Sequence, residues 1–593
     1  MSKRYNRMKK AIPYSILILA LFAIISCGSE KAIRKGDQYA AVNEYFEAAK
    51  QYKKAYRKIP AKDKPKRAIV AWKWGECYRK SNSAVRAVGA YMNAVRYNYP
   101  DSLALRHLAD AQVEKGDYKD AIKNYEEYLK LNSNDNLAIV GLQTAKQSLE
   151  WKKNPNRYIV KRAKELNGQR SDYCPMYVGD DTTMIVITST RKEAKGDDLS
   201  GITGQKSADI FLTRRDDKGR WQKTEVIESE INSENEDGAC AFSPDGKTMY
   251  FTRCVTDNQY PRYAAIYSSS RSDASWSGVK KVEISKDTLS SFAHPAVSPD
   301  GEWLYFSSDM AGGYGGFDLW RYYIGESKAM QEVVENLGSA INTEGDEHFP
   351  AFGPQGELFF SSDGYAGMGG LDIYCATLSN EGSWSITNLM APVNSPGDDF
   401  GMTFEGERMS GYFSSNRGDA RGWDHIYSFY LPETVHTLTG WVYEKDGYEL
   451  TEGTVYLIGN DGTNEKLSVK TDGSFTKRIT PGASYVLLGS CKGYLNHMQE
   501  LVADSTVEDR EYTLQFPLAS ITRPVLIDNI FYKLDSAELT DSSTVALDEL
   551  VRLLSDNPGT VIELGAHCDY KGRDEYNERL SQRRAESVVN YLI

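Results

Sequence analysis

The sequence predicts a multidomain chain: an α-helical repeat solenoid, an all-β propeller of five blades (alternatively six), a β-sandwich, and a final α/β domain. Three observations predict it. Small and aromatic residues recur at helical spacing with a period of 34 residues within 32–151. Turn-plus-strand units recur at a period near 55 residues across 158–431. Alternating apolar and polar runs across 435–519 then give way to strand and helix patterns across 521–593. A chain of 593 residues needs several cores, since single hydrophobic cores rarely grow past about 250–300 residues.

Residues 1–26 read as an export signal. Lys3, Arg4, Arg7, Lys9 and Lys10 precede an apolar run from Ile16 to Ile25, and about ten apolar residues are too few to span a bilayer. The following Ile24-Ile25-Ser26-Cys27 resembles the bacterial lipobox. That resemblance implies cleavage before Cys27, acylation of its thiol, and a lipidated linker over 27–31. Two or three acyl chains anchor durably where one binds reversibly. An ordinary signal with an incidental cysteine is the plainer reading. Gly28, Ser29 and Glu30 lack the acidic run that resembles a surface-export signal, so the body is expected at the outer membrane, facing the periplasm.

Composition excludes some functions. The net charge of -11 carries no basic block beyond the signal, which argues against nucleic acid as a partner. Apart from Cys27, Cys77, Cys174, Cys240, Cys254, Cys375, Cys491 and Cys568 are scattered without the close pairs of a zinc site. No metal or cofactor is expected. The 39 tyrosines suit repeated sheets and solvent-facing contact surfaces.

In the helical region, Trp74, Gly75, Ala87, Tyr91 and Ala94 are matched 34 residues later by Leu108, Ala109, Ala121, Tyr125 and Tyr128. An earlier copy holds Ala48, Tyr52 and Ala55, its surplus lying in the charged Ala61 to Lys66 connection. The period resembles the tetratricopeptide helix pair. Small and aromatic residues alternate because one helix must nest on the next, so most of these side chains are packing. The stacked pairs leave a groove suited to protein segments, with a mere spacer as the alternative.

The next repeat is clearest at Phe242 to Gly246, Val297 to Gly301 and Phe352 to Gly356, with weaker copies at Met176 to Asp180 and Met402 to Gly406. Each leads into a strand such as Leu304-Tyr305-Phe306-Ser307-Ser308 or Gly411-Tyr412-Phe413-Ser414-Ser415, then into a piece such as Asp209-Ile210-Phe211, Asp318-Leu319-Trp320 or Asp372-Ile373-Tyr374. Short strands at regular spacing with Pro-Asp-Gly turns make propeller blades. Leu166-Asn167 is similar to the pieces Leu337 to Asn342 and Leu389 to Asn394, read here as last strands, so the first strand is expected to close the ring on the last blade. The aspartates and the runs Gly312 to Gly316 and Gly367 to Gly370 could bind ions or sugars; turn-capping by Asp and tight paths through Gly explain them more simply. The repeats resemble the TolB-type propeller, a family of interaction platforms.

Over 435–519, Leu438 to Val442, Gly453 to Leu457, Asp472 to Phe475 and Pro481 to Tyr485, with Lys492-Gly493-Tyr494, resemble the carboxypeptidase-regulatory-like sandwich, an accessory fold without catalytic groups. In the last segment Val525 to Phe531 reads as a strand, Thr540 to Asn557 as an amphipathic helix, Val561 to Ala566 as a strand and Asp574 to Leu592 as a second helix.

Gly565 to Leu592 and the stretch Phe531 to Leu539 resemble the OmpA-type peptidoglycan-binding domain, whose pattern is a strand-end Asp, then Asn-x-x-Leu-Ser-x-x-Arg-Ala. The matching residues are Asp569, Asn577, Leu580 and Arg584. Leu580, Arg584, Val588 and Leu592 recur at fours, so spacing alone leaves Arg584 facing a ligand or flanking the packing stripe; the motif implies the ligand. A carboxylate accepts from an ammonium, and a guanidinium fork holds a carboxylate by two parallel hydrogen bonds. The diaminopimelate of a wall stem peptide offers both groups on one carbon. Asn577 and Leu580 are expected to brace loop and core. Cys568 stands where the family usually has Thr, and the family's final strand and helix are missing, so the domain is expected to be an incomplete α/β OmpA-C-like domain.

The order of lipid anchor, helical repeats, propeller, regulatory-like sandwich and OmpA-type domain resembles the PorE-like periplasmic lipoproteins associated with the type nine secretion machinery of Bacteroidota. That resemblance implies a non-covalent tether between outer membrane, wall and secretion components. A general wall-anchoring lipoprotein unrelated to secretion is the alternative. An enzyme on the propeller axis would need paired carboxylates or a nucleophile with its base. Of seven histidines, His294, His348 and His425 fall near blade strands outside any catalytic signature, so the chain is expected not to be an enzyme.

Overall fold

The computed structural model describes residues 28–196, 199–255, 263–272, 275–379, 381–445, 447–506, 508–522, 527–569 and 571–593. The expected signal segment and Cys27 lie outside them. Two compact units result, one through Pro432 and one from Glu433 to Ile593. Among the described residues no helix is long and apolar enough to cross a membrane.

The described part of the first unit begins with seven helices: α1 (28–41), α2 (Tyr45–Lys58), α3 (Lys64–Lys80), α4 (Ala84–Arg96), α5 (Leu103–Glu114), α6 (Tyr118–Leu129) and α7 (Asn136–Trp151). The Asp63 and Asp135 carboxylates accept from Lys66 N and Ala138 N to start α3 and α7, satisfying amides that a helix end leaves orphaned. One packing unit recurs. The Tyr52, Tyr91 and Tyr125 hydroxyls each donate to an acid fifteen residues earlier: Asp37 at 2.6 Å, Glu76 at 2.5 Å and Asp110 at 2.6 Å. The rings lie against glycines; a Cβ on Gly36 would come within 2.8 Å of Tyr52, and one on Gly75 within 2.5 Å of Tyr91. The small-and-aromatic alternation of the sequence is this nesting.

Five four-stranded sheets follow. Their first strands are Asp172–Val178, Glu236–Phe242, Phe292–Val297, Glu347–Phe352 and Asp399–Phe404, each touching the next and the last touching the first. The ring is sealed by Ile159–Arg162, which pairs antiparallel with His425–Tyr430 of the fifth sheet. Each first strand carries a β-bulge, with a left-handed residue at Cys174, Ala239, His294, Phe349 or Gly401. For a side-chain-bearing residue that conformation is strained. Neighbours compensate: the amides of Cys174, Ala239 and His294 donate to Ser414 Oγ, Thr188 Oγ1 and Thr252 Oγ1 at 2.8, 2.9 and 3.0 Å. The hydroxyl-rich strand ends of the repeat therefore bind one sheet to the next. At the turns, Gly246, Gly301 and Gly356 have φ of 67°, 74° and 85°, which favours glycine over any side chain.

The Leu…Asn pieces expected as last strands are turns. Asn232, Asn342 and Asn394 each receive an amide and donate to the carbonyl of one third-strand residue, Ile210, Leu319 or Ile373. Asn167 does the same to Ile426, at 2.9 and 2.7 Å, across the seam of the ring. The similarity among these pieces reflects a shared amide clamp, and the strand pairing comes from residues just before it.

The helices rest on the ring. Tyr118 Oη donates to Met368 O at 2.7 Å, Gly367 N to Thr144 Oγ1 at 3.0 Å, and Asn82 Nδ2 to Asp398 Oδ2 at 2.6 Å. Asp372 Oδ2 accepts from the amides of Met368 and Gly369, and Asp318 from those of Tyr314 and Gly315. The aspartates thus hold their own glycine loops, and one such loop seats α6 and α7.

In the second unit, strands His436–Glu444, Ser474–Ile479 and Arg510–Leu518 form one sheet and Thr454–Gly459, Asn464–Ser468, Ser484–Ser490 and His497–Val502 another. Both contribute to one core that includes Leu438, Val442, Val455, Leu487 and Phe516. Beyond it a 3₁₀ turn (Asp541–Ser543) leads into α8 (Thr544–Ser555), and α9 covers Asp574–Leu592. The strands expected at Val525 to Phe531 and Val561 to Ala566 do not form in the described residues. Residues 528–529 are a turn, with Asn529 at φ 64°, and Val561 is 96% exposed without a ladder partner. An alternating pattern makes a strand only where another strand pairs with it.

Candidate ligand site in the C-terminal domain

Three pieces of chain meet at Arg584. Helix α9 carries Asp574 and Glu575 in its first turn, where negative charge suits the helix dipole. It buries Leu580 and Val588, leaving Arg584, between them in the helix, at the edge of that stripe. The guanidinium lies 4.9 Å from the Tyr532 ring centroid, within reach of cation–π attraction. Its Nε donates to Ser536 O at 3.1 Å and its Nη1 to Cys568 Sγ at 3.5 Å. The Tyr532 hydroxyl in turn donates to Arg584 O at 3.1 Å. Burial pushes the Tyr532 phenol above its usual range, opposed by the Arg584 charge. The turn closed by the Tyr532–Leu539 bridge thus fixes Arg584 from one side.

The loop before α9 closes the other side. Asn577 Nδ2 donates to Asp569 O at 3.2 Å and Lys571 O at 3.1 Å. Gly572, at φ 116°, passes so close that a Cβ there would lie 3.2 Å from Asn577 Oδ1. Asp569 is exposed on this loop, and its chain neighbour Cys568 receives both Arg584 Nη1 and Ser581 Oγ. Asp569, Asn577 and Arg584 therefore share one loop–helix junction, with Leu580 in the core beneath. The junction carries an exposed carboxylate on its loop and, on its helix, a guanidinium whose plane is oriented by the bonds to Ser536 and Cys568.

Aromatic rings on the first strands of three neighbouring sheets meet. The His294 ring stacks on Phe349 at 3.7 Å and lies 5.1 Å from His348, and Phe349 is 4.5 Å from Phe400. Burial, with help from the neighbouring His348, holds His294 well below the usual histidine range, and burial lowers His348 too. His425 is buried against Arg162 and Asp419. Among the described residues no cluster of three or more His, Cys, Asp or Glu side chains could hold a metal ion, and Cys77, Cys174, Cys240, Cys254, Cys375, Cys491 and Cys568 are free thiols.

Comparison with known sequences singles out the same stretch. Residues 531–593 match the OmpA family. This region is an OmpA-family domain. It is similar to "Outer membrane protein A" of Escherichia fergusonii, 41% identical over 71 residues that make up 12% of this chain and 29% of that protein. The Serratia marcescens protein of that name is 36% identical over 74 residues, covering 12% and 20%. The chain spans less than a third of the length of these relatives. Among solved structures, the soluble aldose sugar dehydrogenase of Escherichia coli is similar at a TM-score of 0.26 and 8% identity, covering 46% of this chain and 100% of that one. The α-L-arabinofuranosidase of Lactobacillus brevis gives 0.24 and 12%, covering 37% and 77%. TM-scores this low carry no argument about either fold or chemistry.

Sequence reasoning did not identify the support around Arg584. Tyr532 and Ser536 belong to the quoted Phe531 to Leu539 stretch, but their contacts with α9 cross about fifty positions of sequence. The only signal was the aromatic next to the turn, which has no periodicity of its own.

Proposed function

We propose that this chain is a periplasmic lipoprotein of the outer membrane that binds peptidoglycan non-covalently with its OmpA-family domain and scaffolds protein partners with the remainder. One observation carries the wall reading: exposed Asp569 and Tyr532-backed Arg584 stand at one junction inside the matched stretch 531–593. Asp569 takes the ammonium and Arg584 the carboxylate of a diaminopimelate stem peptide, while Asn577 and Leu580 brace loop and core. Cys27 carries the lipid. We read the helices as a tetratricopeptide solenoid, the ring as a five-bladed TolB-type propeller, and the sandwich as a carboxypeptidase-regulatory-like module. This domain order supports a tether between the type nine secretion machinery and the wall.

Sedimentation with purified peptidoglycan tests the anchor. Asp569→Ala and Arg584→Ala should each weaken binding by about 2 kcal/mol, near thirty-fold. Wild-type protein left in the supernatant, or both variants sedimenting like wild type, sinks the wall reading. A general envelope anchor unrelated to secretion is the second reading, favoured by the confinement of the family match to the anchoring domain. Gene deletion separates the two: lost secretion of cargo supports the tether, and envelope damage with normal secretion supports the general anchor.

A further inference from the structure

Helices α2, α3 and α4 enclose a groove of about 420 Å³. Its floor is aromatic, from Phe46, Trp74 and Tyr78, and its rim is cationic, from Lys50, Lys53 and Arg86. In a chain with 82 acidic against 71 basic residues, no carboxylate among the described residues lines it. Lys50 Nζ lies 4.4 Å from the Phe46 ring centroid and pairs with Glu47 on the same helix. Lys53 Nζ lies 5.8 Å from the Trp74 ring. Neither Lys53 nor Arg86 has a carboxylate partner among the described residues, and Arg86 is exposed. The Trp74 ring is set between Tyr56 and Tyr78 at 5.8 and 5.7 Å. Its indole N–H is buried without a hydrogen-bond acceptor. Buried donors in native structures are nearly always paired.

We propose that this groove seats an acidic segment of a partner protein. A carboxylate lies on the Lys53–Arg86 rim, and an apolar side chain packs on the accessible part of the Phe46–Trp74 floor. The proposal rests on the helices being a protein-binding scaffold; it does not depend on the wall reading. Cations held over aromatic faces beside an apolar floor attract carboxylates while selecting against the strongly hydrated surface of a purely polar chain. Rim charges of this kind weaken with salt, because the Debye length is only about 10 Å at 0.1 M.

The test is a titration of the whole chain with fluorescein-labelled ten-residue peptides: a Glu/Asp peptide with one Phe, its Lys counterpart, and a Ser/Gly peptide with the same Phe. Anionic phosphatidylglycerol vesicles form a fourth arm. The acidic peptide should bind, weaken on raising salt, and lose at least tenfold in affinity in the double variant Lys53→Glu/Arg86→Glu with unchanged far-UV circular dichroism. Lys123→Glu, on exposed surface of α6, should leave it unaltered. The proposal is overturned if the acidic peptide fails to bind, if the uncharged peptide binds as well, if charge reversal has no effect, or if only vesicles are captured. Peptidoglycan sedimentation of the same double variant should match wild type, so failure here leaves the wall reading standing and the reverse also holds.

Discussion

At the scale of single residues, the solenoid holds glycines with opposite requirements. Gly75 has the Tyr91 ring where its Cβ would go, at 2.5 Å, whereas a Cβ on Gly89 meets nothing within 4 Å. Both sit inside helices, where glycine costs about 0.5–1 kcal/mol relative to alanine. Gly75→Ala should therefore destabilise by about 1–3 kcal/mol through overpacking, and Gly89→Ala should stabilise by about 0.5–1 kcal/mol. Urea unfolding followed by helical circular dichroism gives both signs, and a stabilised Gly75→Ala would refute the nesting account. This contrast was half legible in the sequence. Gly75 falls in the repeat, where Ala109 takes its place, so a small residue there reads as packing. The acids that bond the tyrosines did not stand out, because Asp37, Glu76 and Asp110 alternate in identity, although each stands fifteen residues before its tyrosine.

At the scale of elements, Glu76 on α3 ties three helices together. It accepts from Tyr91 Oη of α4 at 2.5 Å and His107 Nδ1 of α5 at 2.7 Å, and pairs with Arg79 on its own helix at 3.1 Å. Burial alone would raise its pKa, but the His107 hydrogen bond and the Arg79 charge outweigh it and hold the carboxyl down at about 2. A depressed carboxylate contributes stability that is present above its unfolded pKa of 4.5 and lost as pH falls from there towards 2. Since its side chain is 21% exposed, the full linkage value is discounted, and Glu76→Gln should cost about 1–3 kcal/mol at pH 7. The gap between variant and wild type should narrow below pH 4.5, as read by urea midpoints across pH. A gap independent of pH would mean that Glu76 acts through shape alone. Elements whose partners are near in sequence were readable, as α9 shows. The segment Val561 to Ala566 has the pattern of a strand without a partner, and no local pattern reports that. The five bulges were equally hidden, because Cys174, Ala239, His294, Phe349 and Gly401 share a backbone conformation and no chemistry.

At the scale of the whole first unit, closure of the ring depends on chain that precedes the first sheet. Ile159–Arg162 and Asn167 both bind the fifth sheet, and the segment before them leads directly from α7. Opening the seam therefore frees the connection between helices and ring as well as one edge of a sheet. Asn394 makes the same clamp on Ile373 but within a single sheet, so it serves as a matched control. Ile426 is fully buried, and removing either asparagine leaves a buried amide unmet, at about 1–3 kcal/mol, while the carbonyls of Ile426 and Ile373 keep the amides of Ala163 and Leu389. Asn167→Ala and Asn394→Ala should lose similar stability. Only Asn167→Ala should expose residues 152–158 to limited proteolysis and split the unfolding of helices from that of the ring, because cooperativity passes through the seam. If the two variants are cut at the same sites and unfold in single transitions alike, the ring is held by its inner strands and the first strand is an accessory. The inner contacts already run from sheet to sheet through Ser414, Thr188 and Thr252, so the experiment weighs those hydroxyl links against the seam.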